Sequence, residues 1–284
     1  MSSSSPTDVF VATGHRVRID SRHRWFPDLG ALLRYRQLLV LLSRRNITVK
    51  YRQTVLGFVW IFAGPLVSAG LFSFVFGQIA GLPSDGDPYF AFTYAGLLGW
   101  NLFSTGLTSA STSLTSNTPL ITKIYFPRLV LPLATVPSTL LNTVISIGVM
   151  AVLLLIYGIG PSLQLLVLPV WLFLAIVLAM GIGLVLTAIS VSYRDVNYLT
   201  PVLIPLAMYV SPVAYSVEAV PENLRTLYLL NPLTTIVEGC RWSLLGNASL
   251  SGWAIAYTVA LTLGALSVGL ALFARLESSF ADVI

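Results

Sequence analysis

The chain has 284 residues, of which 56% are hydrophobic and only 10% charged, against roughly 25% charged in a soluble domain. So few charges cannot cover that much apolar surface in water, which excludes a water-soluble globular fold. The net charge of +5 is bunched outside the apolar runs, which makes it a matter of topology and of contact with anionic lipid rather than of nucleic acid.

Residues 1–28 begin Met-Ser-Ser-Ser-Ser-Pro and scatter Arg through a polar segment without an apolar h-region, so no cleaved leader is expected. From 29 to 52 the sequence turns helical and amphipathic. Arg34, Gln37, Leu41, Arg45, Thr48 and Arg52 step down one face, and Leu32, Tyr35, Leu39 and Leu42 line the other. A basic stripe against a broad apolar face suits a helix lying in the membrane interface. Two readings of it are open: an inert anchor that follows the positive-inside rule, or a moving element joined to the first span.

Five stretches hold no Asp, Glu, Lys or Arg: Gln53–Ser84, Pro88–Thr122, Leu129–Tyr193, Val196–Val217 and Trp242–Ala274. A spanning helix needs about 20 apolar residues. The third stretch holds two spans, broken at Gly158-Ile159-Gly160-Pro161, a turn signal. The expected spans are 55–80, 90–115, 129–157, 163–190, 197–216 and 252–275, six in all. The runs are continuous rather than alternating, which excludes a barrel. No internal repeat is visible.

Between spans two and three, Asn117–Arg128 lies between prolines: Pro119 suits the first turn of a short helix and Pro127 ends it. Leu120, Ile124, Tyr125 and Phe126 are apolar beside Lys123 and Arg128. They form a docking surface or pack on the chain's own interfacial helix. Between spans five and six, Ser216–Ser251 is long, with Pro221 and Pro232 opening two short helices at about 221–230 and 232–245, read as a lid. Glu238 and Arg241 are three apart on one helical face, either a structural pair or a substrate contact.

Ten Lys and Arg precede span one; Lys123 and Arg128, Arg194 and Arg275 fall in loops on the same side, and only Arg225 and Arg241 fall on the other. That asymmetry places both termini in the cytoplasm.

The missing chemistry narrows function. Lys50 and Lys123 follow Val49 and Thr122, so no Gly-Lys-Ser/Thr phosphate loop exists. His15 and His23 sit in the polar N-terminal segment and Cys240 is alone, which gives neither a metal cluster nor a disulfide. Ser104, Thr105 and Ser109 have no base nearby and are expected to serve helix contacts. The expected spans contain no ionisable acid or base of the kind ion-coupled carriers keep in the membrane. The energy source therefore lies in a partner, and a path at a homodimer interface is the simplest way to give so apolar a bundle a channel.

The run Lys50–Trp60 with Gly64-Pro65-Leu66, the loop Lys123–Arg128, Tyr193-Arg194-Asp195-Val196, and Glu277 with Phe280–Ile284 resemble the ABC-2 type permeases that export polysaccharide, in the O-antigen and teichoic-acid branch. The resemblance covers roughly 35–284 and rests on the motifs jointly. It implies an all-α membrane protein with six transmembrane helices, an N-terminal amphipathic interfacial helix, a cytoplasmic coupling helix and two short external gate helices. The division is then 1–28, a cytoplasmic N-terminus; 29–52, the gate helix with Arg34, Arg44, Arg45, Lys50, Tyr51 and Arg52; 53–276, the transmembrane domain; and 277–284, a cytoplasmic tail.

The same resemblance implies a homodimer in the bacterial cytoplasmic membrane with two copies of a separate nucleotide-binding ATPase. That partner binds ATP and Mg; this chain binds no cofactor or metal and is not itself an enzyme. ATPase coupling falls to Asn117, Leu120, Lys123, Ile124, Tyr125, Phe126, Arg128, Arg194 and Asp195, and the external gate to Glu238 and Arg241. The implied cargo is a lipid-linked polysaccharide. Tyr89, Phe90, Phe92, Tyr94, Trp100 and Phe103 could stack sugar faces along its path or form an interfacial aromatic belt. Two other functions compete. A drug- or lipid-exporting ABC-2 permease shares the architecture. A membrane-embedded transferase on lipid-linked sugars would need carboxylates in a cleft, for which Asp85, Asp87, Asp195, Glu218 and Glu238 are the only ones near the membrane edge.

Overall fold

A computed structural model describes residues 29–51, 57–124, 126–193, 195–248 and 250–277. All regular structure among them is helical: α1 (Leu29–Arg34), α2 (Arg36–Tyr51), α3 (Gly57–Phe72), α4 (Tyr89–Ser111), α5 (Thr118–Ile121), α6 (Val130–Leu133), α7 (Val136–Ile156), α8 (Leu168–Ser192), α9 (Val196–Val210), α10 (Glu222–Leu229), α11 (Pro232–Leu245) and α12 (Gly252–Leu276).

Four described stretches are long and apolar enough to cross a bilayer: Phe62–Ile79, Val130–Ile156, Leu163–Val191 and Gly252–Leu276. The other two expected spans differ from these for separate reasons. α4 is charge-free and long, but it is rich in Gly, Ser and Thr and most of it is buried. A helix surrounded by other helices needs small surfaces for packing more than it needs lipid-facing hydropathy. α9 is a shorter apolar helix with Pro201 and Pro205 inside it.

α8 is the hub. It packs along both α4 and α12, with α11 completing the central group. Close approach depends on missing side chains: a Cβ on Gly181 would lie 2.6 Å from the Leu266 amide nitrogen of α12, and one on Gly183 2.6 Å from the Ala110 Cβ of α4. Such overlap forces helices apart, so these two positions set the spacing on both flanks of α8. Ser and Thr hydroxyls mostly bond back along their own helix, as Thr108 does to the Ser104 carbonyl (2.8 Å), Thr143 to that of Thr139 (3.1 Å) and Ser104 to that of Asn101 (3.4 Å).

α3 contains Pro65 and runs on through a widened π-helical turn, Ser73–Ile79. The expected turn after α7 is present, with Gly158 at φ 70°, a conformation glycine adopts without strain. α10 and α11 match the two short helices expected between spans five and six. α11 does not lie across the bundle as a lid, however: its residues are largely buried against α4 and α8. Gly246 ends it in the left-handed region at φ 88°.

The interfacial helix is two pieces, with a break at Tyr35. As expected, Leu42 is buried and Leu32, Tyr35 and Leu39 are half-buried, while Arg34, Gln37, Leu41, Arg45 and Thr48 are exposed. Residues 1–28 and 278–284, with the motif residues Phe280–Ile284, lie outside the described residues.

Candidate functional site

Two polar assemblies stand at opposite ends of the bundle. The first, at the basic end, joins α2, the loop 112–129 and the C-terminal end of α12. Its apolar floor is a cluster of Leu42, Leu114, Ile121, Phe126, Leu129, Val130, Ala188, Val191 and Phe273. Four stretches far apart in sequence, α2, the loop running into α6, α8 and α12, meet there through their apolar sides.

Polar contacts pin the cluster from above. The Arg45 guanidinium donates to the Asn117 side-chain carbonyl in a short contact, and the Asn117 amide donates to the Ser113 carbonyl at 2.8 Å. Asn46 donates to the Ala134 carbonyl at 3.0 Å. The Arg128 backbone N–H donates to Glu277 Oε1 at 2.9 Å, and its guanidinium donates to the Glu277 carbonyl oxygen. Burial pushes the Glu277 carboxyl above its ordinary value, and Arg128 pulls it back down.

The residues expected to dock a partner therefore divide. Phe126 is buried in the cluster and Leu120 packs at its edge, as they would when covering the chain's own interfacial helix. Lys123 and Ile124 face outward, Ile124 at 56% exposure. α5 is a single turn with Pro119 in its first turn, and it ends at Ile121 well before Pro127, so the expected helix through 128 is shorter than read. Asp195 is exposed at the start of α9 without capping it through its side chain. Arg44 and Lys50 are exposed on α2. Arg52, Tyr125 and Arg194 lie outside the described residues, as does the side chain of Tyr51.

The second assembly lies at the opposite, distal end. Arg241 and Glu238 form a buried ion pair at 2.8 Å, with side-chain exposures of 1% and 6%. The guanidinium also donates to the carbonyls of Val213 (2.6 Å) and Tyr215 (3.2 Å), and it lies 3.7 Å from the centre of the Phe92 ring. α11, the start of α4 and the turn after α9 are joined through this one side chain. The guanidinium's donors are met within the chain, by the Glu238 carboxylate and by backbone carbonyls.

The six aromatics of α4 also divide. Phe92, Tyr94, Trp100 and Phe103 are buried in the bundle, where they serve neither as a belt nor as an open lining within one chain. Tyr89 and Phe90 are only partly buried, and the Tyr89 hydroxyl donates to the Ala214 carbonyl at 2.7 Å. The signal that was missed is spacing: the four buried rings fall on a helix that is also dense in Gly, a pattern of internal packing. Among the described residues no group of three or more His, Cys, Asp or Glu could hold a metal ion.

A family profile described as ABC-2 type transporter matches residues 37–245. An O-antigen export system permease protein RfbA of Myxococcus xanthus is 31% identical over 208 residues, covering 72% of this chain and 79% of that protein. One of the same name from Klebsiella pneumoniae is 28% identical over 258 residues, covering 90% and 97%. The polysialic acid transport protein KpsM of Escherichia coli is 26% identical over 247 residues, covering 83% and 92%.

Proposed function

The chain belongs to the ABC-2 type transporter family, and from that premise we propose that it is the permease subunit of an ATP-driven exporter of lipid-linked polysaccharide. The observation that carries the mechanism is the joining of α2, the loop around α5 and the end of α12 by Arg45–Asn117 and Arg128–Glu277. Force applied to that loop is delivered to the interfacial helix and to the last span together, because neither contact can shift without the other segment following.

In this reading the exposed Lys123 and Ile124 meet a separate nucleotide-binding ATPase, which binds ATP and Mg, on the cytoplasmic face. Both termini share that face, and α4 and α9 complete six crossings of the bacterial cytoplasmic membrane. Two copies of the chain form the channel. Phe92, Tyr94, Trp100 and Phe103 fill the bundle interior, so a glycan passes between copies rather than through one. The exposed apolar faces of α3 with its π-helical extension (Val67, Leu71, Phe74) and of α9 (Val202, Leu206, Val210) supply surface for that meeting. When ATP binding draws the ATPases together, the loops move inward, α2 tilts with them, and the seam between copies opens to the lipid headgroup and its glycan.

Copurification and reconstitution test this. The chain is expected to bring down an ATPase whose turnover rises with a glycan-lipid and not with hydrophobic drugs. Polymer movement by the chain alone, or stimulation by drugs only, would overturn the reading.

A further inference from the structure

In an interfacial helix the apolar side meets lipid, but here the fold spends that side on the chain itself. Leu42 is buried in one cluster with Phe126, Val130 and Phe273, and Leu32, Tyr35 and Leu39 pack against the same cluster. The opposite side is the one left open. Along it Arg36, Val40 and Arg44 stand in a row at steps of four, with Gln37 and Leu41 beside them and Leu33 of α1 above, all of them exposed.

The neighbours set the depth of this face. α2 packs on α6 and α7, which together form the apolar stretch Val130–Ile156, and the Asn46 side chain donates to the Ala134 carbonyl near its start at 3.0 Å. A stretch of 27 residues is about 40 Å long at about 1.5 Å per residue, against roughly 30 Å of hydrocarbon. Its end turns therefore stand in the headgroup layer, and α2 lies level with one of them.

Charge selects the occupant. No Asp or Glu occurs from Leu29 to Ser84 or on α6 or α7, so α1, α3, α6 and α7, which pack against α2, bring it no carboxylate. Glu277, at the same end, is taken up by Arg128. Arg45 is spent on Asn117, whereas among the described residues neither Arg36 nor Arg44 has a hydrogen bond or an ion pair. Their backbones are about 12 Å apart along the axis, too far for one phosphate and suited to two. Leu33, Val40 and Leu41, between and beside them, are 73%, 50% and 64% exposed. Aliphatic tips among unpaired guanidiniums at headgroup depth fit a phosphodiester with acyl chains beneath it.

We propose that the outer face of α2 is a binding site for anionic phospholipid, with Arg36 and Arg44 on two headgroup phosphates and Leu33, Val40 and Leu41 at the start of the acyl chains. It rests on the reading above for the placement of α2 at the membrane and not for the cargo. Because α2 is fastened to the loop around α5 through Arg45–Asn117, lipid held on this face sets the resting position of that joint.

Native mass spectrometry of the purified full-length chain tests it, with equal amounts of phosphatidylglycerol and phosphatidylcholine added in detergent. Phosphatidylglycerol adducts are expected at concentrations that retain no phosphatidylcholine. Arg36→Gln with Arg44→Gln should raise the lipid concentration needed for them about fivefold, one charge at about 1 kcal/mol per headgroup. Arg36→Lys with Arg44→Lys keeps the charge and should retain most of the preference, and melting temperature checks that both variants fold. Equal retention of the two lipids by the wild-type chain, or a preference unchanged in the folded glutamine variant, would overturn the site. A Gln37→Cys thiol is expected to react with a maleimide in neutral detergent and to be shielded by added phosphatidylglycerol. Shielding by the ATPase but not by the lipid would give this face to the partner and sink the proposal. Loss of the export reading would move none of these readouts.

Discussion

Arg128 and Glu277 are 149 residues apart in sequence, yet the Arg128 amide and guanidinium both end on Glu277, one on its carboxylate and one on its carbonyl. The loop that leaves α5 is thereby fastened to the last turn of the last apolar helix. Charge at Glu277 is the soft point of this joint, because the carboxyl is partly desolvated there.

The joint gives a pH prediction. Burial raises the Glu277 pKa in the folded chain, so its stabilising share is full below the unfolded value and is lost as pH rises through the folded one. Glu277→Gln keeps an acceptor for the Arg128 amide without the charge. It is expected to melt at or above wild type near pH 8, with the gap closing at about pH 4, where an ordinary Glu is largely protonated. Glu277→Ala strands a half-buried N–H and should lie below Glu277→Gln by about 1–3 kcal/mol at both. A larger advantage for Glu277→Gln at the acid end would refute the assignment.

Arg45 and Asn117 give a coupling prediction. Asn117→Ala removes the acceptor for the Arg45 guanidinium, and export by the complete assembly is expected to fall about fivefold, the worth of about 1 kcal/mol for one exposed hydrogen bond, with basal ATP hydrolysis intact. Asn117→Asp retains the oxygen and adds an opposite charge but loses the donor to the Ser113 carbonyl, so it should restore export in part. Equal loss in both variants would show that the contact does not transmit motion.

At the distal end, Arg241→Ala leaves the buried Glu238 carboxylate alone and should cost about 3–5 kcal/mol. The double variant Arg241→Met with Glu238→Leu removes both charges and should recover most of that. Thermal unfolding in detergent decides it: a double variant as unstable as the single one would mean that the backbone carbonyls of Val213 and Tyr215, not the ion pair, dominate.

Glycine packing gives a local contrast. Gly181→Leu must force α8 from the Leu266 backbone 2.6 Å from its virtual Cβ, and overpacking of this kind costs about 1–3 kcal/mol or more. Gly264→Ala, on α12 with nothing within 4 Å, should be silent. Comparable melting temperatures for the two would contradict the close approach.

Orientation can be read chemically. Cys240 is fully buried in α11, so a new thiol starts from a quiet background. An impermeant maleimide is expected to label Glu222→Cys in intact spheroplasts and Ser116→Cys only after permeabilisation. The reverse pattern would turn the molecule over.

The helical class, the apolar stretches and the positions of α10 and α11 are legible in the chain alone, because lipid and backbone hydrogen bonding act on contiguous residues. Pro221, Pro232 and the Gly158 turn mark boundaries locally, and the structure keeps them. The amphipathic face of α2 was legible for the same reason: Leu32, Tyr35, Leu39 and Leu42 share a side by helical period alone. What these faces meet was not legible. Phe126 reads either as a docking residue or as one packed on the interfacial helix until Leu42 and Phe273, brought from distant segments, are seen in one cluster with it. Trp100 and Phe103 read as channel or belt until α8 and α11 close over α4. Glu238 and Arg241 were recognisable as a pair, but not that Val213, Tyr215 and Phe92 consume the guanidinium. Periodicity says which side of a helix is apolar; only packing decides whether lipid, another helix or a ligand covers it. The charge-free character of the spans was set by composition, while the joints at Arg45–Asn117 and Arg128–Glu277 exist because the fold brings far-separated backbone groups within hydrogen-bonding distance.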